Sequence, residues 1–148
     1  MKSQQFPVLM VEDNPHDILA TKRAWKQHQI PNPLFLVENG EACINFLFRQ
    51  GEYSDPAKAP VPAVVVLDIK LPKIDGLSLL KKIRESNAHR FLPVVMFTTS
   101  AEETDKLQSY QMGANAYIRK PMGYQAFSDA ILYISRFWTM VELPGGIS

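Results

Sequence analysis

The chain has 148 residues, 46% of them hydrophobic, with 16 Lys and Arg against 15 Asp and Glu and a formal charge of +1. That length suits one compact domain burying roughly 70% of its unfolded surface, and the balanced charge excludes a broad basic field for nucleic acid and a polybasic membrane anchor. The single cysteine, Cys43, can form no internal disulfide, and neither an apolar run of about 18 residues nor a secretory leader opens the chain, which predicts a reducing, cytoplasmic setting.

In chain order, the first predicted strand is "PVLMV" at 7–11, followed by a helix over 15–29 with Asn14 as N-cap and Pro15 at its first position. On that helix Ile18 and Trp25 lie seven residues apart and are expected in the core. A second strand, "LFLV" at 34–37, leads to a helix over 40–50, and 51–62, "GEYSDPAKAPVP", reads as the one long irregular loop. "AVVVL" at 63–67 precedes a helix over 76–87, and "VVMFT" at 94–98 precedes a helix over 101–112 closed by Gly113. After "AYIR" at 116–119 comes the clearest helix, 123–138, where Tyr124, Phe127, Ile131, Ile134 and Trp138 recur at spacings of three and four. The strand runs are short and apolar without alternation, the pattern of parallel strands buried on both faces. Strict β-α alternation therefore predicts a doubly wound α/β fold with five parallel strands, five helices and right-handed crossovers.

In such sheets ligands bind beyond the carboxyl ends of the strands. Glu12, Asp13 and Asn14 follow the first strand and Asp68 the third. Thr98, Thr99 and Ser100 end or follow the fourth, and Lys120 and Pro121 follow the fifth. Two carboxylates about 4 Å apart repel by about 4 kcal/mol at an effective dielectric near 20, so this acidic rim needs a cation or shifted pKa values. All-oxygen donors point to a hard divalent ion, Mg²⁺ above others, and an ionised Asp beside Mg²⁺ can take a phosphoryl group as an aspartyl phosphate. Lys120 would then face the phosphoryl oxygens as a point charge, with Thr98 as a hydroxyl donor. His16, His28 and His89 show no ligand spacing.

"VEDN" after the first strand, "LDIKLPKIDG" around Asp68, "TTS" after the fourth strand and "AYIRKP" at the fifth together resemble the receiver domain of two-component response regulators. The long insertion, the "FTTS" strand end and the closing "FWTMVELP" resemble, more narrowly, the single-domain regulators that serve cyanobacterial phytochrome histidine kinases. The resemblance implies a flavodoxin-like strand order of 2-1-3-4-5 and a single receiver domain over 1–148 without an output domain. It matches Asp68 to the phosphoacceptor, Glu12 and Asp13 to the acidic pair that holds Mg²⁺, and Lys70 to the position whose backbone carbonyl ligates the metal. Thr98 and Tyr117 match the switch pair, Lys120 the phosphoryl-binding lysine, and Pro121 a proline that often follows a cis bond. The partner implied is a sensor histidine kinase, a phytochrome in the narrower subfamily, with output through protein contact rather than nucleic acid or membrane. Tyr133, Phe137 and Trp138 exceed what one buried stripe needs, and read either as homodimer contacts on the face of the fourth helix, fifth strand and fifth helix or as a patch that the tail covers. The chain is not expected to be an enzyme in the turnover sense.

Two positions depart from the pattern. Lys70 stands where the nearest relatives are expected to carry Asn, so its side chain is expected over the site mouth, shielding a phosphoryl group from water. Thr99 stands where many receivers carry Ala, narrowing access for donors. Rival readings fit less well: a phosphatase of the haloacid dehalogenase type needs a second Asp where Lys70 stands, and a flavin-binding module needs a phosphate-cradling loop in place of "VEDNPHD". A receiver-like scaffold that works without phosphorylation is the third rival, against which every core position of the site is filled.

Overall fold

The computed structural model describes residues 6–144. Five parallel strands, β1 (Val8–Val11), β2 (Leu34–Val37), β3 (Val64–Leu67), β4 (Val94–Thr98) and β5 (Ala116–Arg119), form one sheet in the order β2-β1-β3-β4-β5. Five helices alternate with them: α1 (Pro15–Gln27), α2 (Gly40–Phe48), α3 (Gly76–Glu85), α4 (Glu103–Gln111) and α5 (Tyr124–Met140). This is the doubly wound fold that the alternation predicts.

Burial on both faces explains the strand composition. Leu9, Val11, Val65, Leu67, Val94 and Met96 face a core closed by α2 and α3, through Cys43, Phe46, Leu79, Leu80 and Ile83. The intervening residues Val8, Met10, Val64, Val66, Val95 and Phe97 face α1 and α5, through Ala24, Phe127, Ile131 and Ile134. A side-chain period of two divides the strands between the two cores, and the central strands β1, β3 and β4 are buried along their whole length, whereas the edge strand β5 is half-buried and ends in the exposed Arg119. Trp25 is half-buried against the second core and its indole donates to the carbonyl of Asn32 at 2.7 Å, so it is a core residue as expected.

The helix boundaries depart from the sequence reading where local chemistry stops the spiral. Arg49 closes α2 in the left-handed region at φ 54°, and Gln29, at φ 49°, ends the turn after α1. After α3 the chain tightens into a short 3₁₀ turn at Asn87–His89. At its start α4 is shortened by two residues, because the Ser100 hydroxyl accepts from the Glu102 amide at 3.3 Å and holds 99–102 out of the helix. The 51–62 insertion is more ordered than the sequence suggests: it opens with a 3₁₀ turn at Gly51–Tyr53, Tyr53 packs edge-on against Phe46 at 5.2 Å, and Ala59 is buried.

Candidate functional site

The carboxyl rim carries the polar residues that the core excludes. Glu12 ends β1 with its amide donating to the Val37 carbonyl at 3.0 Å, which fixes its carboxylate beside the crevice between β1 and β3. Asp68 leaves β3 in the same way, its amide directed at the Val11 carbonyl at 3.4 Å. Both residues are buried, at 3% exposure for Glu12 and 8% for Asp68. The turn after Asp68 requires Gly76: its amide donates to the Ile69 carbonyl at 2.7 Å, and a Cβ there would stand 2.2 Å from the Asp68 carbonyl oxygen. That close approach explains why "LPKIDG" must end in glycine.

From the far side of the crevice comes Lys120, whose amide donates to the Thr98 carbonyl at 2.7 Å and whose side chain is more deeply buried than that of Asp68. Its ammonium donates to three carboxylates at once: Glu12 Oε1 at 2.6 Å, Asp17 Oδ2 at 2.6 Å and Asp68 Oδ2 at 2.8 Å. Burial by itself would lower the lysine pKa, but the bonds to Asp17, Asp68 and Glu12 outweigh it and hold the amine protonated, above its ordinary range. Burial also pushes the Glu12 carboxyl up to about 6, against the opposing pull of Lys120. The second oxygens are engaged as well, Glu12 Oε2 by the Asn14 amide at 3.1 Å and Asp68 Oδ1 by the Lys70 amide at 3.3 Å.

Of the residues expected here, Glu12, Asp68 and Lys120 converge, while Asp13 and Lys70 are exposed beside them. Thr98 is fully buried one bond away and joins Tyr117 through Ser100. The Thr98 hydroxyl accepts from the Ser100 amide at 3.3 Å, and the Tyr117 hydroxyl donates to the Ser100 carbonyl at 2.9 Å. Ser100 also donates to Asp105 in the first turn of α4 at 2.7 Å, and the Tyr110 hydroxyl of α4 accepts from the Tyr117 amide at 3.1 Å. No peptide bond among the described residues is cis, so the bond before Pro121 is trans, the intrinsically preferred form by about 0.5–1 kcal/mol.

Two participants escaped the sequence reading. Tyr110 gave no signal beyond an aromatic on a helix. Asp17 stands at the third position of α1, where Asn14 caps the His16 and Asp17 amides at 2.9 and 3.2 Å, and an acid at that place reads as part of a helix start. The aromatic trio of α5 divides: Tyr133 and Phe137 are exposed, at 64% and 58%, whereas Trp138 is half-buried against the second core with its ring edge-on to Phe137 at 4.9 Å.

Fold and site together define a doubly wound α/β domain with a lysine-bridged acidic pocket at its carboxyl rim. The response regulator receiver domain family matches over residues 8–132. The response regulator Rcp1 of Synechocystis sp. is 33% identical over 138 residues, covering 93% of this chain and 92% of that protein. Two solved structures superpose closely. The phosphorylated cyanobacterial phytochrome response regulator RcpA has a TM-score of 0.85 at 31% identity, covering 95% of this chain and 99% of that one. The Mn²⁺-bound form of Rcp1 has a TM-score of 0.83 at 33% identity, with the same coverage of 95% and 99%. The chain belongs to the response regulator receiver domain family, and it is a receiver of two-component signalling related to the phytochrome response regulators.

Receiver domains bind a divalent metal, and the donor set here fits one. Counting Glu12, Asp17 and Asp68 against Lys120, three carboxylates less one ammonium leave two formal negative charges around hard oxygen donors. Among the described residues no three acids already stand as a metal cage, and the lysine ammonium sits where Glu12, Asp17 and Asp68 meet. No helix among the described residues is long and apolar enough to cross a membrane.

Proposed function

We propose that this receiver accepts a phosphoryl group on Asp68 from the phosphohistidine of a sensor kinase, a phytochrome by analogy with its relatives, and signals by changing a protein-contact face. The observation that carries this reading is the buried Asp68 carboxylate, presented at the strand end with one oxygen on the Lys120 ammonium at 2.8 Å. An Asp68 oxygen attacks phosphorus, a P–O bond forms, the P–N bond to the imidazole breaks, and the imidazole leaves with a proton. Lys120 stays within reach of the incoming phosphoryl oxygens, and burial excludes bulk water from the acyl phosphate. Glu12, Asp13, Asp68 and the Lys70 carbonyl would hold Mg²⁺, which supplies charge neutralisation when bound. Such a cycle modifies the protein itself, with no turnover of an external substrate.

Thr98 and Tyr117 are the switch pair of this reading. The Thr98–Ser100–Tyr117 chain of hydrogen bonds runs from the pocket to α4, so a Thr98 hydroxyl drawn to the phosphoryl group releases the Ser100 amide and loosens the carbonyl that holds Tyr117. The face that responds is α4–β5–α5, where Leu107, Tyr110, Tyr133 and Phe137 are exposed, and a second copy of the chain is the occupant proposed. Trp138 supports Phe137 from behind rather than offering its own ring. A cytoplasmic setting, and no part for nucleic acid or membrane, complete the proposal in keeping with the formal charge of +1.

Intact mass after incubation with acetyl phosphate tests it. A Mg²⁺-dependent gain of about 80 Da, one phosphoryl group on a carboxylate, is expected in the parent and absent in Asp68→Asn. No gain even with a phosphorylated kinase as donor overturns the reading in favour of a phosphorylation-independent scaffold.

A further inference from the structure

Asp17 lies outside the family's acidic pair, yet it shares the buried ammonium as closely as Glu12 does, 2.6 Å to each. It reaches the pocket from α1, whose start is fixed by the Asn14 cap and by the Thr21 hydroxyl donating to the Asp17 carbonyl at 2.7 Å. Lys120 has three ammonium protons, and all three are taken, one per carboxylate. Remove Asp17 and its share of the ammonium falls to Glu12 and Asp68, the two buried acids that would also ligate a divalent ion. We propose that Asp17 is a positioning residue that draws the Lys120 ammonium toward α1 and so keeps oxygen lone pairs of Glu12 and Asp68 open to the divalent cation. The inference rests on the metal-binding reading of the site given above. Competition for the same lone pairs gives it a definite sign: a lysine released by Asp17 settles more firmly on the metal ligands, and metal affinity falls. Asp17 is itself partly exposed, at 23% for its side chain, so its neutral variants leave no deeply buried group stranded.

The experiment is a Mn²⁺ titration followed by the electron paramagnetic resonance of free Mn²⁺, on the full chain and on Asp17→Asn, Asp17→Ser, Asp17→Glu and Glu38→Gln. The last removes the same charge from an exposed residue at the end of β2, on the same rim. Melting of each metal-free variant is measured beside it. Asp17→Asn and Asp17→Ser are expected to bind Mn²⁺ about five- to tenfold more weakly, the scale of one charge-assisted hydrogen bond redistributed. Asp17→Glu is expected close to the parent and Glu38→Gln within about twofold of it, since an exposed charge is screened. Equal or tighter binding by both neutral Asp17 variants overturns the proposal and leaves the metal site standing. Equal weakening by Glu38→Gln overturns it in favour of a diffuse charge effect, and a lowered melting temperature with unchanged Mn²⁺ affinity overturns it in favour of a structural role. A parent that binds no Mn²⁺ overturns the metal-site reading and this inference together.

Discussion

The two ends of the sheet handle polar groups in opposite ways. At the amino end, Pro7, Pro33 and Pro93 stand directly before β1, β2 and β4, and their carbonyls accept from Ala63, Val8 and Val65 at 2.8 to 2.9 Å. The Arg84 side chain there is held mostly by backbone: it donates to the Gly113 carbonyl, the His89 carbonyl and the Asn115 side-chain amide oxygen at 2.9 to 3.1 Å. Beside them lies an apolar groove of about 460 Å³ lined by Phe6, Val61, Leu92 and Met140 among others. At the carboxyl end three acids share one base, and acids outnumber it. Arg84 is held by neutral acceptors alone, whereas the carboxyl rim gathers more acid than its one ammonium offsets and so retains affinity for a further cation, at the end of the sheet where ligands of this architecture bind.

Substitutions that cross this division should break or sharpen it. The largest effect is expected from Gly76→Ala, which forces a methyl to 2.2 Å from the Asp68 carbonyl oxygen. It should cost about 3 kcal/mol, at the upper end for overpacking, and slow phosphorylation, read by urea unfolding and by mass. Arg84→Ala removes three hydrogen bonds from the amino end and should cost about 2 kcal/mol while leaving the extent of phosphorylation unchanged. A parallel loss of phosphorylation would mean that the two ends are not separate. Lys70→Asn should leave stability within about 0.5 kcal/mol, as an exposed substitution, yet shed the phosphoryl group several times faster; a lifetime equal to the parent's would sink the shielding role.

The smallest effect is one of pH. Burial lowers the His89 pKa below 6.5, so the unfolded chain takes the proton more readily than the folded one. The stability this represents is present above the unfolded pKa and is lost as pH falls through 6.5 toward the folded value. His89→Phe keeps a ring against Phe48, where the centroids are 4.9 Å apart, and should flatten the loss of stability between pH 7.5 and pH 5.5. A slope identical to the parent's would place the acid sensitivity elsewhere.

Legibility followed how local the cause was. Asp68 and Glu12 were readable because each ends an unbroken apolar run, and a charge there has nowhere to go except the rim, whereas Lys120 was readable only from its place between the fifth strand and Pro121. Ser100 was visible as a hydroxyl after the fourth strand, but its part in joining Thr98 to Tyr117 was not, since that depends on β5 lying beside β4. The start of α4 was misplaced by two residues because a side chain three positions before the helix competes for the backbone amide of Glu102.

The sequence by itself determined the alternation, the two-faced burial of the strands and the row of polar residues at their carboxyl ends, because period and composition act through near neighbours. Only the tertiary structure decided which acids meet the lysine. Asp17 and Lys120 are 103 residues apart and touch at 2.6 Å, a contact set by how α1 packs against the sheet and how β5 reaches its edge. No pattern within either segment encodes that meeting, since the Coulomb attraction that rewards it acts through space and not along the chain.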